Sequence, residues 1–119
     1  MYTITLISND NDHHILEFLD PTWTVLCLQT NPVDIKQTDC FLVDIDYCDH
    51  DGETLIPWIQ KHYDRPILIL TSRYRPKRTL ELMIQGAHDY LVEPYDHHKV
   101  IHRINTLIDV YQKQTKEPN

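Results

Sequence analysis

Two short runs, Cys40–Ile45 (CFLVDI) and Pro66–Leu70 (PILIL), are almost continuously apolar. A strand with one wet face alternates apolar and polar residues, whereas an unbroken apolar run must be covered on both sides. That demand points to the centre of a parallel sheet sandwiched between helices. Parallel neighbours cannot be joined by a tight hairpin, so each pair needs a crossover segment, usually helical.

The rest of the chain supplies such an alternation. Tyr2–Ile7 (YTITLI) is rich in β-branched residues and reads as a first strand, and Trp23–Leu28 (WTVLCL) as a second. Between them His14–Leu19 reads as a short helix stopped by Asp20-Pro21. Glu53–Tyr63 carries a helical pattern, with Pro57 fitting only near a first turn. Arg75-Pro76 opens a further helix, Leu80, Met83, Ile84 and Ala87 line its buried side, and Gly86 ends it. Tyr90–Val92 is a short fifth strand. Val100, Ile101, Ile104, Leu107, Ile108 and Tyr111 form one apolar stripe on a last helix. The expected fold is α/β, flavodoxin-like, with five parallel strands and helices on both faces. The second helix is shortened, because Gln29–Asp39 leaves room for one or two turns around the sequence VDIKQ. A single domain over 1–112 is expected, with 113–119 a polar tail or the start of a linker; from Gln112 onward the chain is expected to fray.

Composition narrows the function classes. A chain of 119 residues holds one core. Its net charge of −7, with 18 acids against 11 bases, argues against direct nucleic-acid binding, which needs clustered Lys and Arg on phosphates. The exception is Arg73–Arg78, four positive residues that read as a solvated helix start or a local docking patch. No segment reaches the roughly 18 apolar residues of a membrane span. Met1 leads straight into a strand-like run rather than a signal segment. Three cysteines (Cys27, Cys40, Cys48), odd in number and without metal spacing, suit a reduced, cytoplasmic setting. With two glycines in all, and no Gly-rich turn after the first strand, no nucleotide or flavin loop is present.

Function in an open parallel sheet sits beyond the carboxyl ends of its strands. Those ends carry Ser8-Asn9-Asp10, Asp44, Thr71-Ser72 and Glu93-Pro94. Asp44 is followed at the seventh and eighth positions by Asp51-Gly52, Thr71-Ser72 closes PILIL, and residues 86–95 read GAHDYLVEPY. These features resemble the receiver domains of response regulators (D-x6-[DN]-G, a Thr/Ser switch position, GADDYLVKPF), and the similarity spans residues 3–111. The resemblance implies an Asp that takes a phosphoryl group from a histidine kinase or a small phosphodonor, and an acidic pair holding Mg²⁺ with that Asp and a backbone carbonyl. It also implies a Thr hydroxyl and a Lys that contact the phosphoryl oxygens. Oxygen ligands around Mg²⁺ and donors around the phosphoryl group offset charge in the transition state.

Carried over position by position, Asp44 matches the acceptor, Thr71 the hydroxyl and Asp46 the carbonyl ligand. The acidic pair falls on Ser8 and Asn9 without a gap, or on Asn9 and Asp10 with a shift of one. Either way the Mg²⁺ site (Asn9, Asp10, Asp44, Asp46) is degenerate, so Mg²⁺ is not required. Glu93 stands where the Lys is expected, a swing of two charges; Arg73 is the candidate substitute cation. The aromatic switch position is Tyr90, alternatively a packed core ring. A cis peptide is implied at Glu93-Pro94.

The resemblance also supplies a partner surface, the fourth helix, fifth strand and fifth helix of receivers, which pairs symmetrically in the winged-helix (OmpR/PhoB) class. Asp89 and Arg103 match its charged residues; Arg103 reads equally as a solvated charge. The function expected is that of an atypical, non-enzymatic receiver acting as a protein-interaction or dimerisation module, in transcriptional control, independent of Asp phosphorylation. The alternatives are a receiver phosphorylated on Asp44 and a flavodoxin-like domain sensing a ligand or metal at the acidic edge. His97, His98 and His102 read as a solvated helix face rather than metal ligands. His13-His14 reads as an ordinary helix start, and Cys48 as an inert loop thiol rather than a redox sensor.

Overall fold

A side-chain period of two sends each strand's residues alternately to opposite faces, and here both faces are apolar. The computed structural model describes residues 2–8, 14–29, 37–46 and 49–116, with side chains omitted at 49–54 and 115–116. The elements are β1 (Thr3–Ile7), a 3-10 turn (His14–Phe18), β2 (Thr24–Leu28), β3 (Cys40–Asp44), α1 (Asp49–His62), β4 (Ile67–Thr71), α2 (Pro76–Gln85), β5 (Asp89–Val92) and α3 (His97–Lys116). All pairings are parallel and the strand order is β2-β1-β3-β4-β5. β3 and β4 are central, as their unbroken apolar runs require. The region around VDIKQ, and with it the shortened second helix, lies outside the described residues.

On one face Ile4, Leu6, Cys40, Leu42, Leu68 and Leu70 pack under the stripe Val100, Ile104 and Ile108 of α3. On the other, Ile7, Phe41, Val43, Ile67 and Ile69 meet Leu55, Ile56 and Ile59 of α1 and Leu82 of α2. The core is therefore two layers deep around the sheet, each buried Leu or Ile contributing about 1.5–3 kcal/mol.

Four expectations need correction. α1 starts at Asp49 rather than Glu53, so Pro57 lies in the helix interior. Its ring is exposed, where water can satisfy the carbonyl that Pro leaves without a donor. α2 does not bury Leu80 and Ile84, which are 61% and 77% exposed; Thr79 and Leu82 face the core, with Met83 partly buried and Ala87 buried just beyond the helix. The helix offers two overlapping stripes at 3–4 spacing, and the contact with α1 and β4 selects the one through Leu82. α3 continues to Lys116 instead of fraying from Gln112, since Gln112, Lys113 and Gln114 are adequate helix formers and no stop signal precedes Pro118. The expected first helix is a five-residue 3-10 turn. At the end of α2, Gly86 takes φ 131° and its N–H donates to Met83 O; this is the left-handed cap that glycine permits.

Candidate functional site

With the order β2-β1-β3, the chain reverses its direction of winding between β1 and β3, and a crevice opens there at the strands' carboxyl ends. Asp44 ends β3. Ile7 pairs with Val43, so Ser8 stands level with Asp44, and its hydroxyl donates to Asp44 Oδ2 at 3.2 Å. The Asp46 N–H donates to Asp44 Oδ1 at 3.2 Å, a turn that brings the next carboxylate round to face β4.

There the Asp46 side chain gathers three partners. The buried Thr71 hydroxyl donates to its Oδ1 at 2.9 Å, the Ser72 N–H donates to its Oδ2 at 2.5 Å, and Arg75 Nη2 lies 3.7 Å from Oδ1. The Thr71 oxygen also accepts from the Arg73 N–H at 3.3 Å. One carboxylate thus accepts from the Thr71 hydroxyl and the Ser72 N–H, the hydroxyl having the Arg73 carbonyl oxygen at 3.0 Å as a second acceptor. Charge-assisted bonds of this kind are the stronger sort.

Glu93 follows β5, with its N–H on Thr71 O at 3.0 Å and a cis bond to Pro94. Its side chain joins Ser8, His14, Asp44, Asp46 and Tyr95 around a cleft of about 270 Å³. Burial pushes the Tyr95 phenol above the ordinary tyrosine range, and the carboxylates of Glu93, Asp44 and Asp46 push the same way. Tyr95 and His14 stack at 6.2 Å, both beside Phe18. The cleft is therefore acidic on three sides. Like charges within a few ångströms cost on the order of a few kcal/mol at intermediate dielectric.

Mg²⁺ needs several oxygen ligands in near-octahedral array. Of the Mg²⁺ ligands expected from the sequence, the described residues include the Asp44 carboxylate and the Asp46 backbone carbonyl, while the Asp46 carboxylate is engaged by Thr71 and Ser72. No group of three His, Cys, Asp or Glu side chains converges among the described residues, including around His97, His98 and His102. Asn9, Asp10, His13 and Cys48 lie outside the described residues.

Of the other residues singled out in the sequence, Tyr90 is half-buried against the α1–α2 side and stacks on Tyr74 at 5.5 Å and 15°. Asp89 and Arg103 meet within the domain, Nη1 to Oδ1 at 3.2 Å, and Arg103 also donates to Tyr90 O at 2.9 Å. Arg75 lies 3.7 Å from Asp46, and Arg73, the expected cation, lines the same hollow beside Asp46 and Ser72. Sequence reasoning took Arg75 only as a helix start; its position as the residue before Pro76, directly above the end of β4, was the available signal. Tyr95 and His14 were also missed. Tyr95 closes the motif at 86–95, but nothing local pairs it with His14; a 3-10 turn and the post-Pro94 loop bring them together.

The profile of the response regulator receiver domain matches residues 7–105 of this chain. The chain belongs to that family. It is similar to the transcriptional regulatory protein KdpE of Staphylococcus aureus, 28% identical over 120 residues that span 92% of this chain and 52% of KdpE. It is also similar to the regulatory protein VanRc of Enterococcus gallinarum, 26% identical over 110 residues, 92% of this chain and 46% of VanRc. The chain thus spans about half the length of these curated relatives. Among solved structures, the receiver domain of a putative LuxO repressor protein from Vibrio parahaemolyticus superposes with a TM-score of 0.81 at 16% identity. The match covers 99% of this chain and 98% of that one, and such a likeness speaks for the fold alone. The receiver fold and its place in two-component signalling are the family's. No helix among the described residues is long and apolar enough to cross a membrane.

Proposed function

We propose that this receiver transmits its signal through protein contacts without an acyl phosphate on Asp44, the Asp46 carboxylate serving as a built-in anion for the switch donors. The carrying observation is the capture of the Thr71 hydroxyl and Ser72 N–H by Asp46. In receivers the equivalent Thr hydroxyl contacts phosphoryl oxygens; here it already has an anionic acceptor. Glu93 in place of the usual Lys supports the same reading, because an anion there repels what the Lys would hold. On this reading neither Mg²⁺ nor an enzymatic activity of its own is needed.

The output surface is α2, β5 and α3, through which the domain pairs with a second copy or a protein partner. Leu80 and Ile84 are exposed on α2, and Asp89 and Arg103 lie beside a shallow hollow with Leu107 and Val110. The names of its relatives, transcriptional and regulatory proteins, support a role in transcriptional control.

Beryllofluoride with Mg²⁺, which mimics a phosphoryl group on a receiver Asp, tests the reading. The amide resonances of Thr71, Ser72 and Tyr90 should stay where they are. A stoichiometric shift of all three would contradict it. One observation favours a second reading, phosphorylation of Asp44: Arg75, 3.7 Å from Asp46, is a cation at the cleft's rim. On that reading Arg75→Ala abolishes the beryllofluoride response.

A further inference from the structure

At the other end of the sheet, where β4 and β5 begin, a second constellation is built around His88. Its backbone N–H donates to Ile67 O at 2.8 Å, and its ring Nδ1 accepts from the Ile67 N–H at 3.0 Å. A ring nitrogen that accepts carries no hydrogen, so the imidazole is neutral, with its proton on Nε2. The ring meets Tyr111 of α3 edge to face, centroids 5.3 Å apart and planes at 86°. The Tyr111 hydroxyl in turn donates to the carboxylate of Asp64 in the α1–β4 loop. Arg65 anchors that loop by donating from Nε to Thr38 O at 2.9 Å and from Nη1 to Asp64 O at 2.7 Å.

We propose that His88, Tyr111 and Asp64 form a proton-operated latch, which fastens the last turns of α3 to the entry of β4 and β5 while His88 is neutral and loosens them when it is protonated. A proton on Nδ1 turns the acceptor into a donor aimed at another donor. The ring must then turn away, leaving the Ile67 N–H without its acceptor and Tyr111 without its packing partner. Val100, Ile104 and Ile108 hold the earlier turns of α3 in the core, so the loosening is confined to the helix beyond Ile108.

The groups that face the imidazole are Asp64 from the loop, whose carbonyl holds Arg65, and Tyr111 from α3; its neighbour Asp89 is paired with Arg103. Burial holds the His88 pKa below the ordinary 6.5, against the pull of the Asp64 carboxylate. With the folded-state pKa depressed, the unfolded chain takes up the proton first. The latch's contribution to stability is therefore full above 6.5 and is lost as pH falls from 6.5 toward the folded value. None of this depends on how the Asp44 cleft works.

Hydrogen exchange read residue by residue, corrected for the intrinsic rate at each pH, tests the latch on the intact chain. Between about pH 7.5 and about pH 5.5, protection of the Ile67 amide and of Val110–Gln114 should fall about tenfold. In His88→Asn, whose side-chain oxygen takes the place of Nδ1 and cannot be protonated, that fall should vanish. An equal fall in both proteins would overturn the proposal. So would a wild-type Ile67 amide resonance that does not move while the His88 ring titrates, a reading that needs no variant.

Discussion

Removing the Asp46 side chain takes the acceptor from the Ser72 N–H and the charged acceptor from the Thr71 hydroxyl, which keeps the Arg73 carbonyl oxygen at 3.0 Å. Asp46→Ala is predicted to lower stability by about 1–2 kcal/mol, the lower part of the range for lost charged acceptors because the Ser72 bond is exposed. A urea midpoint that falls with an unchanged slope would report it; an unmoved midpoint would mean the bonds carry no net energy. The same change hands the Thr71 hydroxyl over to the Arg73 carbonyl oxygen, so the Tyr90 resonances should shift. The identity of the cleft's residues was legible at this scale. Asp44, Thr71 and Glu93 close strands whose ends the apolar runs mark, and a parallel sheet gathers strand ends at one edge. What the Asp46 carboxylate does was not legible. The sequence offered its carbonyl as a ligand, and the direction of a turn side chain is set by a strand 25 residues away. Arg75 was hidden for the same reason, since its reach to Asp46 depends on where α2 begins in space.

Helix α2 shows how element-level reading can find a helix and choose the wrong face. Pro76 and Gly86 bracket it as start and stop signals should, and Pro76–Gln85 is what forms. Its apolar residues satisfy helical spacing along two stripes, and nothing in 3.6-residue periodicity ranks them. Burial of Leu82 against Ile56, Ile59 and Ile69 leaves Leu80 and Ile84 in solvent. Leu82→Ala is accordingly predicted to cost about 2–5 kcal/mol, whereas the double change Leu80→Ser, Ile84→Ser should alter stability by no more than about 0.5 kcal/mol. If α2, β5 and α3 form the pairing surface, the double variant should also sediment as monomer at concentrations where the wild type associates. Identical sedimentation would remove these side chains from the interface. α3 had no such ambiguity, because a single stripe from Val100 to Ile108 runs along it, and the stripe is what the core receives.

For the whole molecule, an all-parallel sheet with the two unbroken apolar runs inside it follows from their need for cover on both faces and from crossover connections between parallel strands, whereas the place of β2 outside β1 does not. That architecture was within reach of the sequence because it rests on pattern, which is local. The net charge of −7 is spread over the chain, but the fold concentrates Asp44, Asp46 and Glu93 at one crevice, so the acidity of the site is a property of the topology. On the proposed reading this crevice does not keep a phosphoryl group. Incubation with acetyl phosphate and Mg²⁺, followed by intact mass, measures it directly. The predicted result is an unchanged mass; the addition of one phosphate, mapped to Asp44 and lost in Asp44→Asn, would contradict it.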